Sequence, residues 1–203
     1  MILEDKYTLS NGVEIPKLGL GTWFISDQDV AQAVKEAAKI GYRHIDTAQA
    51  YENERGVGEG ILACGVKRED LFVTTKLAAE VKSYEGAAPS IDESLKKLGL
   101  DYIDMMIIHS PRPWMEYHET EPYFKGNQEL SIMAGKYGVS VPRLCIRYAL
   151  QLDLLPLPKT ANPDHMKDNA DVDFVISEKD MALLKNMERI KDYGEASVFP
   201  VYQ

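Results

Sequence analysis

Three residues that can hold or transfer protons follow apolar runs at nearly regular intervals along this chain. Asp46 ends the run YRHID, Lys76 ends LFVTTK and His109 ends IDMMIIH. The intervals of 30 and 33 residues are close to the roughly 30 residues of one strand–helix–strand unit. Parallel barrels carry their catalytic groups at the carboxyl ends of successive strands. The spacing therefore predicts one functional group per repeat, and an enzyme built on a parallel sheet.

Turn and helix-end residues divide the chain into alternating strands and helices. The segment 6–18 is predicted to form a hairpin with Asn11-Gly12 as its turn. Asp27 is expected to cap the helix VAQAVKEAAKI, which Gly41 ends. We predict further helices near 52–63, 86–98, 163–170 and 177–190, and barrel strands at 17–23, 42–47, 71–76, 103–108 and 154–158.

Five strands are too few to close a barrel. A barrel of this type has eight strands and about 250 residues, whereas this chain has 203 residues. An open sheet ending at strand 103–108 would expose the apolar run IDMMII to water and to other chains. The pattern is that of a barrel without enough chain to close it.

Composition excludes several classes of protein. The net charge of −9 argues against nucleic acid, which requires a basic surface. No apolar run approaches the roughly 20 residues of a membrane-spanning helix, and MILEDKYTL has no signal-peptide pattern. Cys64 and Cys145 lie far apart and outside any metal-ligand spacing, so we expect buried or half-buried free thiols. A cytoplasmic protein without a membrane partner or a metal is expected.

Five longer segments carry a resemblance to a known family. GLGTW, GYRHIDTAQAYENE, LFVTTKL, GLDYIDMMIIH and LPLPKTANPDHMKDN occur in this order and resemble the signature segments of bacterial aldo-keto reductases of the 2,5-diketogluconate/glyoxal reductase type. The resemblance covers essentially the whole chain. It implies a single α/β domain over 1–203, a TIM (β/α)₈ barrel with an N-terminal β-hairpin. It also implies that the protein reduces aldehydes or ketones with NADPH.

The resemblance implies a stretch that this sequence lacks. Relatives carry roughly 70–80 further residues, holding about strands five to seven, and here the flanking parts meet between about Glu129 and Ser131. That stretch would carry the family's Ser-Asn pair and Gln near the cofactor carboxamide, and the Tyr that stacks on the nicotinamide. Either residues of a longer protein are absent from this sequence, or the chain is truly shortened. We expect the first, because an open sheet should aggregate.

The resemblance assigns a catalytic role to each of four residues. Tyr51 would donate the proton that turns the carbonyl oxygen into an alcohol. A free phenol has a pKa near 10, and the Lys76 ammonium is expected to lower it. Asp46 would keep Lys76 charged and oriented, and His109 would donate a hydrogen bond to the substrate oxygen.

Each of these residues also has an ordinary structural explanation. Asp46-Thr47 suits a helix cap, Tyr51 a half-buried aromatic, Lys76 a solvated strand end, and His109 a structural histidine. Ion pairs perturb pKa values without catalysis as well. Their common placement at strand ends, together with the motif match, favours the catalytic interpretation.

The cofactor contacts are expected away from any Rossmann fingerprint, because G-x-G-x-x-G is absent. Lys159-Thr160 closes the last strand before a short helix, where barrels often bind phosphate; an ordinary turn and helix cap is the alternative. The resemblance makes Lys159 and Thr160 contacts of the adenosine phosphate and places Asn169 at the adenine. The other cofactor contacts that it implies are Gly21, Thr22, Asp46 and His165.

Two positions depart from the family pattern. His165 stands where many members have Arg, whose guanidinium can grip a 2′-phosphate with two hydrogen bonds. NADPH is therefore expected, with NADH left open. Ser110 stands where Trp is common, which should widen the mouth of the pocket. Trp23 and Trp114 are expected to line the substrate pocket with Tyr51 and His109, although isolated aromatics more often belong to the core.

The sequence thus predicts a cytoplasmic, monomeric, NADPH-dependent reductase of small aldehydes, 2-oxoaldehydes or ketones. The alternative is a shortened, non-catalytic relative that binds nucleotide or acts as an interaction subunit.

Overall fold

The computed structural model describes residues 1–81, 83–109 and 128–187. The strands are β1 (Lys6–Thr8), β2 (Glu14–Pro16), β3 (Leu20–Gly21), β4 (His44–Asp46), β5 (Phe72–Leu77) and β6 (Met105–Ile108). The α-helices are α1 (Val30–Ile40), α2 (Glu54–Ala63), α3 (Tyr84–Leu98), α4 (Gln128–Lys136), α5 (Val141–Gln151), α6 (Pro163–Ala170) and α7 (Glu178–Lys185). Ser110, Trp114 and the tail 191–203 lie outside the described residues.

The strands form a hairpin and a separate parallel sheet. β1 and β2 pair antiparallel, and Gly12 has a φ of 82° in their turn, a left-handed conformation that glycine adopts without strain. The predicted hairpin is confirmed. The parallel sheet has the order β3-β4-β5-β6, which confirms four of the five predicted strands, with shorter bounds at 17–23, 42–47 and 103–108.

The predicted fifth strand lies beside β3 but pairs with it incompletely. Gly19 N–H donates to the Pro156 carbonyl and Gly21 N–H to the Pro158 carbonyl, both at 3.3 Å, and a single parallel bridge joins Gly21 to Lys159. Because proline has no N–H, Pro156 and Pro158 can accept but cannot donate hydrogen bonds. The segment 154–158 is therefore extended and aligned, but it is not a regular strand.

The sheet is open at its other side. Within the described residues β6 has β5 as its only strand neighbour. β5 is buried along its whole length, whereas Ile107 is 41% and Ile108 70% exposed. The predicted exposure of this apolar strand is confirmed at Ile107 and Ile108, and no strand of the described residues covers that edge.

Glycines in α2 serve helix packing. A Cβ placed on Gly58 would lie 1.9 Å from the Leu98 carbonyl oxygen at the end of α3, and one on Gly56 would lie 2.1 Å from the Asp27 carbonyl oxygen. No side chain fits at these distances. The run GVGEG therefore lets α2 approach its neighbours closely, which explains these glycines without a nucleotide fingerprint.

One cap was predicted wrongly. α1 begins after Asp29, and Asp27 does not cap it. The Asp27 carboxylate instead accepts hydrogen bonds at 2.8 Å from Gly56 N–H and from Arg55 Nε, so it fixes the start of α2. At the other end of α1, Gly41 has a φ of 121°, as expected for a terminating glycine.

Both cysteines are free thiols, as expected, but only Cys64 is partly buried and Cys145 is exposed. Across residues 1–81, 83–109 and 128–187, none of the helices combines the length and hydropathy needed to cross a membrane.

The exposed edge at β6 predicts that the protein self-associates. Because β6 presents exposed isoleucines at an edge that no described strand covers, the protein should associate as its concentration rises. Ile108→Lys places a charge on that edge and should reduce this association, measured by light scattering over a concentration series. Leu183→Lys is the control, since Leu183 is also exposed at 52% but lies on a helix. Equal effects of the two substitutions would show that β6 is not the contact surface.

Candidate active site

The carboxyl ends of the parallel strands bring the predicted catalytic residues to one edge of the sheet. Asp46 is the last residue of β4, Lys76 lies near the end of β5, and His109 directly follows β6. Asp46 is in register with Thr74 in the neighbouring strand. Parallel pairing makes all these side chains neighbours, although they are about 30 residues apart in sequence.

The ammonium group of Lys76 is at the centre of this arrangement. Lys76 Nζ lies 2.5 Å from Asp46 Oδ1 and 2.8 Å from the Thr47 carbonyl oxygen. Its third partner is the Tyr51 hydroxyl, at 3.4 Å. The side chains of Lys76 and Asp46 are only 10% and 6% exposed, so this is a buried ion pair with one contact reaching the phenol.

Two aromatic rings lie close to the Tyr51 ring. The rings of Tyr51 and His109 meet edge to face, with centroids 5.4 Å apart. Trp23, half-buried, lies on another side of Tyr51 at 6.5 Å between centroids, and it also contacts Phe24. The structure thus brings together the four predicted catalytic residues and the first of the two predicted pocket tryptophans.

Burial dominates the proton affinities of this group. Burial and, to a smaller extent, the nearby Asp46 carboxylate together raise the pKa of Tyr51 to about 12. The net shift of the Tyr51 pKa is therefore upward, opposite to the expected lowering, and the contribution of Lys76 itself stays a prediction. Burial also lowers the pKa of Lys76 and raises that of Asp46, and in each case the opposite charge of the partner offsets part of the effect.

The imidazole of His109 is neutral at ordinary pH. Burial and, to a smaller extent, the Lys76 ammonium lower its pKa to about 4, against a smaller opposing effect of Glu80. A neutral imidazole carries one N–H donor. His109 can therefore donate a hydrogen bond to a carbonyl oxygen without carrying a charge.

A buried polar network that the sequence analysis missed holds the loop after β4. Thr22 Oγ1 donates to the Asp46 carbonyl at 3.0 Å, and Thr47 Oγ1 donates to Asn53 Oδ1 at 2.8 Å. Asn53 Nδ2 then donates to the carbonyls of Thr22 and Ile25, both at 2.9 Å. Asn53 is fully buried and joins the loops that follow β3 and β4. The available signal in the sequence was a polar residue directly before α2.

The predicted cofactor residues of the last segment line one surface pocket. Lys159, Thr160, His165 and Asn169 surround a volume of about 510 Å³, next to Asp168 and other residues of α5 and α6. Thr160 and Asn169 are buried, whereas Lys159 and His165 are exposed. An ammonium, a hydroxyl and an amide around one pocket form a donor set that suits phosphate and a nucleobase.

β3 connects this pocket with the catalytic group. Gly21 is in register with Asp46 on one side and bridges Lys159 on the other. A Cβ on Gly21 would lie 2.6 Å from the Leu157 carbonyl oxygen, so only glycine fits there. Thr22 is fully buried, and both its N–H and its hydroxyl donate to the Asp46 carbonyl. The predicted cofactor contacts Gly21 and Thr22 therefore lie between the two regions.

Comparison with known proteins identifies the family. The aldo/keto reductase family model matches residues 17–126 and 120–189. Glyoxal reductase of Bacillus subtilis is 31% identical, over 95% of this chain and 96% of that protein. Among solved structures, an aldo/keto reductase from Brucella melitensis has a TM-score of 0.80 at 28% identity, over 91% of this chain and 98% of that one. A Bombyx mori aldo-keto reductase in complex with NADP has a TM-score of 0.76 at 25% identity, over 97% and 99%.

The chain belongs to the aldo/keto reductase family, and its parallel sheet is part of the barrel that its relatives share. The alignment with the B. subtilis protein runs over 264 positions, against 203 residues here. At least 61 positions of that alignment therefore have no residue in this chain. The prediction of an incomplete barrel is confirmed, and the position of the gap between about Glu129 and Ser131 stays a prediction.

The buried ion pair generates a stability prediction. Asp46→Asn leaves the Lys76 ammonium buried without a counter-charge, which should lower the free energy of unfolding by roughly 3–5 kcal/mol. Adding Lys76→Met to Asp46→Asn should restore much of the loss, because it removes the isolated charge. Denaturant unfolding followed by circular dichroism measures both.

The control for this prediction is Glu14→Gln. Lys6 and Glu14 lie 2.9 Å apart with side chains 51% and 58% exposed, and exposed pairs of this kind contribute little. A double variant no more stable than Asp46→Asn alone would contradict the electrostatic explanation.

Proposed function

We propose that this protein reduces small aldehydes, 2-oxoaldehydes or ketones to alcohols with NADPH. The observation that carries the proposal is the phenol of Tyr51, placed 3.4 Å from the Lys76 ammonium and edge to face with His109. A relative named glyoxal reductase supports the substrate class, and a related structure in complex with NADP supports the cofactor. The cytoplasmic location and the monomeric state stay predictions.

The residues of the last segment suit the proposed cofactor. Lys159 and Thr160 would hold its adenosine phosphate, with Asn169 at the adenine, in the pocket that these residues share. When bound, NADPH supplies the hydride that adds to the carbonyl carbon. The chain's own residues supply the orientation and the proton.

A Tyr51 phenol with a raised pKa suits reduction. With a pKa of about 12, the phenol keeps its proton at neutral pH until charge develops on the carbonyl oxygen. An alkoxide is more basic than a phenolate, so the proton then moves from Tyr51 Oη to that oxygen. Lys76 Nζ is positioned to stabilise the phenolate that forms, and neutral His109 to donate to the same carbonyl oxygen.

The second candidate function is that of a non-catalytic relative. Its supporting observations are the β6 edge, which no strand of the described residues covers, and the 61 or more alignment positions that this chain lacks. The family residues expected at the nicotinamide fall in that stretch. Intact-mass measurement of protein from its natural source separates the explanations of the gap: a mass near 22.8 kDa indicates a shortened chain, and one several kilodaltons higher indicates additional residues.

The proposal predicts the effect of removing the phenol oxygen. Purified protein should oxidise NADPH in the presence of methylglyoxal or a nitrobenzaldehyde, followed by the loss of nicotinamide absorbance. Tyr51→Phe should abolish this turnover, because no proton reaches the alkoxide, while NADPH binding is retained. Tyr84→Phe is the control, since Tyr84 is 84% exposed. Turnover that persists in Tyr51→Phe would exclude Tyr51 as the acid.

Cofactor preference generates a separate prediction. His165→Arg should strengthen NADPH binding by roughly 1.5 kcal/mol, about tenfold in affinity, because a guanidinium can make paired hydrogen bonds to the 2′-phosphate. NADH binding should change little, since NADH has no such phosphate. Quenching of tryptophan fluorescence measures both affinities, with Lys167→Arg on the same helix as control. Equal gains for the two cofactors would place residue 165 away from the 2′-phosphate.

A further inference from the structure

Gln49 begins the 3₁₀ turn that carries Tyr51, and its side-chain amide is bonded at both ends. Oε1 accepts hydrogen bonds from Ala78 N–H at 2.8 Å and from Ser90 Oγ at 3.1 Å. Nε2 donates to the Ser90 carbonyl at 3.1 Å and to Ser94 Oγ at 2.9 Å. The half-buried amide thereby fastens the turn to two other elements.

One of these elements is the strand of the catalytic lysine. Ala78 directly follows β5 and lies two residues beyond Lys76. A single side chain therefore joins the segment that bears the phenol to the segment that bears the ammonium. The contact between Tyr51 Oη and Lys76 Nζ is long at 3.4 Å, so the spacing of the two groups depends on how the turn is held.

The other element, α3, is itself anchored beside the lysine. Ser94 Oγ donates to Glu54 Oε2 at 3.3 Å, and Glu54 Oε1 accepts from Thr75 Oγ1 at 2.7 Å. Ser94, Glu54 and Thr75 are all buried, and Thr75 is the neighbour of Lys76 in β5. The chain of hydrogen bonds from Gln49 thus returns to the same strand, and such linked bonds reinforce one another.

We propose that Gln49 is a positioning residue that sets the distance between the Tyr51 phenol and the Lys76 ammonium, and through it the rate of proton transfer. Its catalytic consequence rests on the proposed reductase function. The effect of Gln49 on the position of the Tyr51 ring does not depend on that function and can be measured on the protein without substrate.

Gln151 provides a matched comparison elsewhere in the fold. Its Oε1 accepts from Ile176 N–H at 2.7 Å and its Nε2 donates to the Ile176 carbonyl at 3.0 Å. Like Gln49 it is half-buried and ties a loop to a helix, but it has no link to Tyr51 or Lys76. A purely structural role should make the two glutamines equivalent.

The first experiment compares Gln49→Met with Gln151→Met, which keep chain length and remove the amide. Both should lower the melting temperature. Only Gln49→Met should lower kcat for carbonyl reduction, by roughly 10- to 100-fold, the cost of an ångström-scale misplacement near the reacting atoms. KM for NADPH should stay unchanged, because Ala78, Ser90 and Ser94, the hydrogen-bond partners of Gln49, do not line the phosphate pocket. A kcat loss equal in the two variants overturns the proposal.

The second experiment reads the position of Tyr51 directly. In protein labelled with [¹³Cζ]tyrosine, the Tyr51 resonance is assigned by its loss in Tyr51→Phe. Gln49→Met should shift this resonance and make it titrate at a lower pH than in the wild type, because the ring moves away from Asp46 and toward water. Gln151→Met should leave it in place. An unmoved resonance in Gln49→Met overturns the proposal.

The turnover and the Tyr51 resonance test the reductase function and the role of Gln49 separately. Absence of NADPH turnover in the wild type contradicts the reductase function, and the resonance of Tyr51 still decides the role of Gln49. If Gln49→Met does not fold, Gln49→Glu replaces it under the same criteria. A carboxylate keeps the acceptor for Ala78 N–H but opposes the Ser90 carbonyl, so its effects should be in the same direction and smaller.

Discussion

The arrangement of the candidate catalytic residues depends on one buried ion pair. Removing a lysine and an aspartate from water costs several kcal/mol for each ion, and the structure offsets this by giving all three N–H donors of Lys76 an oxygen partner: Asp46, Thr47 and Tyr51. The first two hold the ammonium between β4 and β5. The phenol is the third and most distant partner, which leaves it free to act on a substrate while it remains beside a positive charge.

A two-residue strand joins the catalytic pair to the proposed phosphate pocket. Gly21 pairs with Asp46 on one side and bridges Lys159 on the other, and a side chain at this position would meet the Leu157 carbonyl. The proposed hydride donor and the proton donor would therefore be placed by the same short segment of backbone. Loss of this close approach would disturb both ends of the site together.

The open side of the sheet lies next to the functional edge. β6, whose Ile108 is largely exposed, leads directly into His109, so the histidine sits where the described barrel wall stops. In the part of the chain that the structure describes, Lys76 lies in β5, which has a strand on both sides, whereas His109 follows β6, which has β5 on one side only. Stability and the proposed catalysis therefore both depend on what covers this edge.

The sequence by itself determined the parallel repeat, the hairpin turn at Gly12, the end of α1 at Gly41 and the strand ends that carry Asp46 and Lys76. These features follow from local hydrophobic patterns and from glycine conformations, which neighbouring residues decide. Only the tertiary structure decided that the pKa of Tyr51 rises and that Asp27 anchors α2 rather than capping α1. It also revealed the bridge that Gln49 makes to β5. Burial and partner distances depend on residues far apart in the chain, and no local pattern contains them.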